Sequence, residues 1–469
     1  MSGLFGIVSS KDCRQSLFYG TDYHSHLGTK KAGLAVFNSK MTRAIHDIST
    51  SQFKSKFIDE LPNLKGKKGI GVISDFDPQP IIISCLFGKF ALVTSGLLKN
   101  KNELAKEIMS QGGSFSEMSS GIINSTEVIG KLIARKNNIA SGMKHVFDKI
   151  SGSVSLLVLA KEGIYAARDI SGKTTLVIGQ NDESFAIASE TSAFPNLGFK
   201  PVLELHPGEI VLVTSEGLKE KQDTLENEKT FRNRRICSFL WIYTGYPASS
   251  YEGINVEKVR ENCGANLARN DKIEADLVCG VPDSGTAHAI GYSMASGIPY
   301  RRSLVKYTDG YGRSYTPPSQ EIRNKVAKLK LIPIRSVIED KRIVVCDDSI
   351  VRGTQLKNQA IEKLWRNGAK EIHVRIACPP LMYPCPYLLS TRTKKELAAR
   401  KVIKKITGEN NFNIEDFIDD KSPLYRKMVD TSQKELGVTS LKYQTISDMV
   451  KAIGLPEEKL CLYCWTGRD

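Results

Sequence analysis

Residues 343–354, Ile-Val-Val-Cys-Asp-Asp-Ser-Ile-Val-Arg-Gly-Thr, constrain this chain more than any other stretch. An apolar strand ends in two adjacent carboxylates, Asp347 and Asp348. A loop of small, hydroxylated residues with one arginine and one glycine follows. A helix then presents Leu356, Ala360, Ile361 and Leu364 on one face. A strand–loop–helix of this kind points backbone N–H groups at an anion, and paired carboxylates suit ribose hydroxyls or a hydrated Mg²⁺. A sugar phosphate that also carries pyrophosphate needs both features. The alternative is a solvated acidic turn at a strand end.

The rest of the chain changes texture near its middle. Before residue 215 the sequence reads as short strands (32–37, 70–73, 80–86, 90–93, 154–159, 186–189 and 209–213) between polar and glycine turns. Helices are expected at 101–110 and 125–135. The pattern predicts stacked antiparallel sheets with helices outside. Residues 217–235 are dense in charge and read as an exposed connector or a charged surface helix. From 254 onward, helices (256–269, 286–295) alternate with strands (276–281, 342–346, 371–377). That alternation predicts a parallel sheet with ligands beyond the carboxyl ends of its strands. The fold class is therefore α/β joined to α+β.

Composition narrows the function. A charged fraction of 25% and a hydrophobic fraction of 41% are those of a soluble globular protein. No apolar run reaches membrane-spanning length, and the first residues lack a secretory pattern. A cytoplasmic enzyme with no membrane partner is expected. The net charge of +15 is spread along the chain rather than gathered into an arm, so phosphorylated small substrates explain it better than nucleic acid. Ten cysteines in such a chain do not suggest a disulfide scaffold. Cys85, Cys279, Cys346 and Cys378 fall in strand-like runs and are expected to be buried. Cys461-x-x-Cys464 alone reads as a redox pair, half a zinc site, or nothing.

The run from Asp347 to Thr354 closely resembles the phosphoribosyl-pyrophosphate (PRPP) motif of type I phosphoribosyltransferases, in the form found in the glutamine PRPP amidotransferase family. Further stretches match that family in order: Gly280-Val281-Pro282-Asp283-Ser284, Gly297-Ile298-Pro299-Tyr300, Lys306, Gly312-Arg313, Pro318-Ser319-Gln320, Arg323 and Lys328-Leu329-Lys330-Leu331. The resemblance covers essentially the whole chain. It implies an N-terminal-nucleophile-hydrolase-like αββα glutaminase domain over 1–230 and a type I phosphoribosyltransferase domain over 231–469.

It also implies roles. Asp347 and Asp348 hold ribose hydroxyls and, with Ser284, Mg²⁺. Backbone groups of Ser349, Ile350, Val351, Arg352, Gly353 and Thr354 hold the 5′-phosphate. Lys306, Arg313 and Arg323 face the pyrophosphate, whose departure cations favour. The polar stretch 305–331 is expected to act as a mobile lid. Within it Tyr307-Thr308-Asp309-Gly310-Tyr311 replaces a shorter family element and removes a basic residue. Cys237, Cys385, Cys461 and Cys464 match the cysteines of the family's iron–sulfur branch, which implies a [4Fe–4S] cluster, with four-thiolate zinc as the rival. A homo-oligomer, or an assembly with an intact paralogue, is implied as well.

The first half departs from the family. Ser2 stands at the place of the nucleophilic cysteine. His-Arg-Gly-Gln becomes His26-Leu27-Gly28-Thr29. The stretch carrying the arginine that grips glutamine becomes Val72-Ile73-Ser74-Asp75-Phe76-Asp77. The oxyanion asparagine is lost in Thr94-Ser95-Gly96-Leu97, and Ser125 replaces the acid that binds the glutamine amino group. Loss of one oxyanion donor alone costs roughly 100–1000-fold. The expected function is therefore 5-phosphoribosylamine synthesis from PRPP with ammonia rather than glutamine. Another amine acceptor, or a non-catalytic PRPP-binding regulator, is the alternative.

Overall fold

The computed structural model describes residues 2–119, 121–223, 235–269, 271–307, 331–387, 393–409 and 412–468. Two compact units divide the chain. One comprises Met1–Cys237, Ala248–Glu252 and Pro386–Leu389; the other comprises Ser238–Pro247, Gly253–Cys385 and Ser390–Asp469.

The first unit is built on two antiparallel sheets. The seven-stranded sheet runs in the order Lys200–Glu204, Val177–Gln180, Ser184–Ala188, Ser2–Ser9, Lys68–Ser74, Lys31–Phe37, Met41–Asp47. The six-stranded sheet runs Gly217–Asp223, Glu209–Thr214, Ile164–Ala167, Gly152–Leu159, Gly88–Leu98, Ile81–Cys85. Side-chain alternation along each strand creates three separate apolar layers. In Ser2–Ser9, Phe5 and Ile7 turn to the helical side, whereas Leu4 and Val8 turn to the opposite sheet. In the six-stranded sheet Phe90, Leu92, Leu156 and Val158 meet helices, whereas Ala91, Val93, Leu157 and Leu159 meet the other sheet. Strands buried on both faces read as continuous apolar runs, which is why they stood out in the sequence. Helix Arg14–Asp22 covers one sheet; Lys101–Ser110, Ser125–Ile133 and Ile139–Lys149 cover the other. The unit is an αββα sandwich, as expected.

Two expectations need correction here. Residues 217–223 are neither connector nor helix: Gly217–Asp223 is an edge strand paired with Glu209–Thr214. Exposed Lys219 suits an edge, where charge discourages further pairing, and charge in the sequence masked the strand. Cys85 is only half-buried, because its strand ends there and turns back at Gly88. Cys279, Cys346 and Cys378 are buried as expected.

The second unit carries a four-stranded parallel sheet in the order Leu277–Gly280, Arg342–Asp347, Glu371–Ile376, Ser440–Tyr443. Helices Val256–Arg269 and Thr286–Ser296 pack together at glycines. A Cβ on Gly264 would lie 1.8 Å from the His288 carbonyl oxygen, and one on Gly291 would lie 1.9 Å from that of Glu261. Leu304–Lys306 and Leu331–Pro333 form an antiparallel pair with Lys306 opposite Leu331. The expected lid segment between them, 308–330, lies outside the described residues. Near the C-terminus Trp465 stacks on Phe239, with ring centroids 5.1 Å apart, and its indole N–H donates to the Pro379 carbonyl at 3.0 Å. Among the described residues no helix is long and apolar enough to cross a membrane.

Candidate active site

The central strand Arg342–Asp347 is buried along nearly its whole length and delivers the acidic pair to its carboxyl end. Asp347 and Asp348 are only 8% and 5% exposed. Ser284, in the turn between Leu277–Gly280 and Thr286–Ser296, donates its hydroxyl to Asp347 Oδ1 at 2.9 Å. The Asp348 N–H donates to the same oxygen at 3.0 Å, and the Ser349 hydroxyl donates to Asp348 Oδ2. The two loops are tied together by backbone: the Val281 N–H bonds the Cys346 carbonyl at 3.0 Å. A Cβ on Gly285 would fall 2.1 Å from that carbonyl, so only glycine fits.

Among the described residues no cation forms an ion pair with Asp347 or Asp348. Burial, with the neighbouring Asp348 charge, pushes the Asp347 carboxyl well above the carboxylate range. Burial also raises Asp348, opposed by the Ser349 and Ser284 hydroxyls and by the charge of the buried Arg260. Arg260 was not singled out in the sequence. Its guanidinium is held by the carbonyls of Trp241, Tyr243 and Gly245 at 2.7–2.9 Å, contacts that no local pattern announces. Two hard oxygen donors with no ion-pair partner among the described residues, supported by a hydroxyl, fit a hydrated Mg²⁺.

Beyond the pair, Ser349–Thr354 turns through Gly353 at φ 78° into a π-helical segment, Leu356–Ile361, that continues as Glu362–Arg366. Leu356, Ala360, Ile361 and Leu364 are all buried, as their spacing predicts. The Val351 carbonyl accepts the Ala398 N–H at 2.8 Å, and Arg352 pairs with Glu396 at 2.8 Å. Lys306 forms an ion pair with Asp283, beside Ser284. Arg313 and Arg323 lie outside the described residues.

The four candidate cluster cysteines divide between the units. Cys237 closes a segment of the first. In the second, the Met382 and Tyr383 N–H groups both donate to the Cys464 carbonyl, at 2.9 and 3.0 Å, a few residues before Cys385. The Ser238 hydroxyl donates to the Cys461 carbonyl at 3.0 Å. Among the described residues no group of three or more His, Cys, Asp or Glu side chains is arranged to hold a metal ion.

The first unit contains a cavity of about 460 Å³ with Ser2 at its wall. The Ser2 and Ser74 hydroxyls are 3.0 Å apart, and the Ser95 hydroxyl donates to the Ser2 carbonyl at 2.6 Å. Asp75 accepts from the Thr29 N–H and hydroxyl, both at 2.8 Å. Asp77 Oδ2 accepts the Ser125 N–H at 2.8 Å, at the start of helix Ser125–Ile133. Lys99 and Lys101 also line the cavity. Lys99 and Lys101 were not singled out from the sequence as site residues, and Asp77 was read only within a replaced stretch; 48 residues separate Asp77 from Ser125.

Comparison with known proteins places these sites in context. A family model described as a glutamine amidotransferase domain matches residues 70–196. The chain is 33% identical to an amidophosphoribosyltransferase of Methanocaldococcus jannaschii, over 100% of this chain and 97% of that protein. It is 34% identical to one of Methanothermobacter thermautotrophicus, over 99% and 93%. Among solved structures it is similar to the glutamine PRPP amidotransferase of B. subtilis complexed with ADP and GMP. That match has 32% identity and a TM-score of 0.84, and it covers 99% of this chain and 96% of the other.

Proposed function

The chain belongs to the amidophosphoribosyltransferase family, and from that premise we propose that it makes 5-phosphoribosylamine from PRPP in purine synthesis, using ammonia as the nitrogen source. The observation that carries this reading is the buried pair Asp347–Asp348, fixed by Ser284 and Ser349 and without an ion-pair partner among the described residues. In the reaction the C1–O bond to pyrophosphate breaks, a C1–N bond forms, and the incoming nitrogen loses a proton. Asp347 and Asp348 orient the ribose through its hydroxyls, and Ser284 keeps the Asp347 carboxylate aimed. The turn through Gly353 offers its N–H groups to the 5′-phosphate, and Lys306 stands beside the loop that meets the pyrophosphate. Mg²⁺ held by Asp347, Asp348 and Ser284 would neutralise charge developing on the leaving group.

The second unit supplies this transferase half, and the first a glutaminase-like half that no longer hydrolyses glutamine. Ser2 has a serine hydroxyl as its neighbour, and Ser74 stands where an arginine is expected. Cys237, Cys385, Cys461 and Cys464 would hold a [4Fe–4S] cluster of structural role. Supporting it are the backbone bonds that bring the Cys464 carbonyl to the segment before Cys385. Iron and acid-labile sulfide content of anaerobically purified protein tests the cluster; stoichiometric zinc would replace it.

The decisive assay follows pyrophosphate release from PRPP with ammonium salts or with glutamine, alongside glutamate formation. Turnover with ammonia and no glutamate from glutamine is the expected result. Glutamate at ordinary enzyme rates would overturn the ammonia assignment.

A further inference from the structure

Lys306, the cation expected at the pyrophosphate, is placed by the backbone around it. It ends the strand Leu304–Lys306 and faces Leu331 in a two-stranded sheet. Pro333 has no N–H, so its pairing with Leu304 runs through the flanking residues, and the Ile334 N–H donates to the Ser303 carbonyl at 2.9 Å. Two residues along each strand, Lys306 and Leu331 fall in the same class of pair. In that class the facing side chains lie closest, with Cα atoms about 4.5 Å apart, and the carbonyls point away from the partner strand. The two-stranded sheet thus offers the Leu331 carbonyl no donor. Leu331 is only 6% exposed, so that oxygen needs a donor from elsewhere.

Lys363 supplies it. Its half-buried ammonium donates to the Leu331 carbonyl, and burial lowers its pKa below the usual lysine range. Lys363 lies on Glu362–Arg366, the end of the helical segment that starts just after the turn Ser349–Thr354. That segment is itself fixed: Lys357 donates to the Glu435 carbonyl at 2.6 Å, and the Trp365 indole N–H donates to the Gly437 carbonyl at 2.8 Å. A continuous path therefore joins the two ends of the site. It runs from the turn at Gly353 along the helix to Lys363, across to Leu331, over the strand pair to Lys306, and on to Asp283. Asp283 adjoins Ser284, whose hydroxyl donates to Asp347.

We propose that Lys363 is a positioning residue for the transfer reaction: it sets the separation between the turn that takes the 5′-phosphate and the Lys306 ammonium that takes the pyrophosphate. It acts through Leu331 and Lys306 and touches neither phosphate group. The inference rests on the reading of this site as one for PRPP.

Titration calorimetry on the full chain with Mg²⁺ tests it with three probes: pyrophosphate, ribose 5-phosphate and PRPP. K363M keeps the aliphatic stem and removes the donor. It is expected to weaken pyrophosphate and PRPP roughly 10-fold, the worth of one hydrogen bond from a charged group. Ribose 5-phosphate, which reports the turn alone, should keep its affinity. K363R retains a donor and should bring pyrophosphate binding most of the way back. K306M should also weaken pyrophosphate, and adding K363M to it should cost nothing further, because one residue acts through the other. A lysine that only supports the fold would instead weaken all three probes together and add to K306M. K363Q serves if K363M does not fold, and should show the same selective loss. Unchanged pyrophosphate affinity in these variants, equal losses for pyrophosphate and ribose 5-phosphate, or additive losses in the double variant would overturn the proposal. A wild-type chain that binds none of the three probes would sink the PRPP reading itself, and this inference with it.

Discussion

Replacing Asp347 by asparagine sets stability against turnover. Asparagine keeps the shape and the acceptor for Ser284 and the Asp348 N–H, but it removes one of two adjacent buried negative charges. A carboxyl whose folded pKa lies above its unfolded value binds its proton more tightly in the native state. Its penalty is absent at pH below the ordinary carboxylate range and grows as pH rises from there to the raised folded value. Each unit of displacement is worth about 1.4 kcal/mol. For a buried charge with no ion-pair partner among the described residues, relief of about 1–3 kcal/mol is expected. In a unit of this size that corresponds to a rise of roughly 2–12 °C in Tm. The assay is thermal unfolding at pH 5 and pH 8 with neither PRPP nor metal present. Wild type should lose stability between the two pH values, and D347N should lose less. The same variant should release pyrophosphate roughly 100-fold more slowly or worse, since several kcal/mol of transition-state charge stabilisation goes with the carboxylate. A variant less stable than wild type at pH 8, or one with unimpaired turnover, would refute the assignment of this pair as a site that trades stability for binding.

Other outcomes follow from the first unit and from the helix pair. Glu190, buried, accepts from Tyr251 at 2.7 Å and pairs with His26 at 2.9 Å. Although burial opposes ionisation, the His26 charge and these bonds bring its pKa from 4.5 down to about 2. Its stabilisation is present above the ordinary glutamate range and is lost as pH falls through about 2. E190Q should therefore cost on the order of 3 kcal/mol at neutral pH, and less as acid titration proceeds. Asn124 caps helix Ser125–Ile133 by accepting from the Thr126 and Glu127 N–H groups, so N124A should lower stability by about 1–2 kcal/mol in denaturant titration. G264A must push helix Val256–Arg269 off the His288 carbonyl and should destabilise by about 3 kcal/mol or more. An unchanged midpoint in any of these would contradict the contact on which it rests.

Much of the frame could be read from the sequence because local pattern and burial agree there. Helices Lys101–Ser110 and Val256–Arg269 begin and end where their residues predicted, and Leu356, Ala360, Ile361 and Leu364 point inward together. The acidic loop was visible because strand, carboxylates, glycine and helix are contiguous. What escaped notice depends on distant partners or on surface chemistry. Gly217–Asp223 looks like a linker because an edge strand tolerates charge. Asp77 acquires meaning only when the fold sets it against Ser125, and Arg260 only when three carbonyls from 241–245 wrap it. The helix after Thr354 keeps its apolar face through a π-helical register that spacing alone does not distinguish.

The antiparallel pair Leu304–Lys306 and Leu331–Pro333 forms a neck. Its pairing fixes where the intervening polypeptide departs and where it rejoins. Insertions and deletions beyond that neck leave the ammonium of residue 306 in place beside Asp283. A difference in length at 307–311 is thereby expected not to re-tune the anchor. A change of length there is expected to leave the cation where the strand pair sets it.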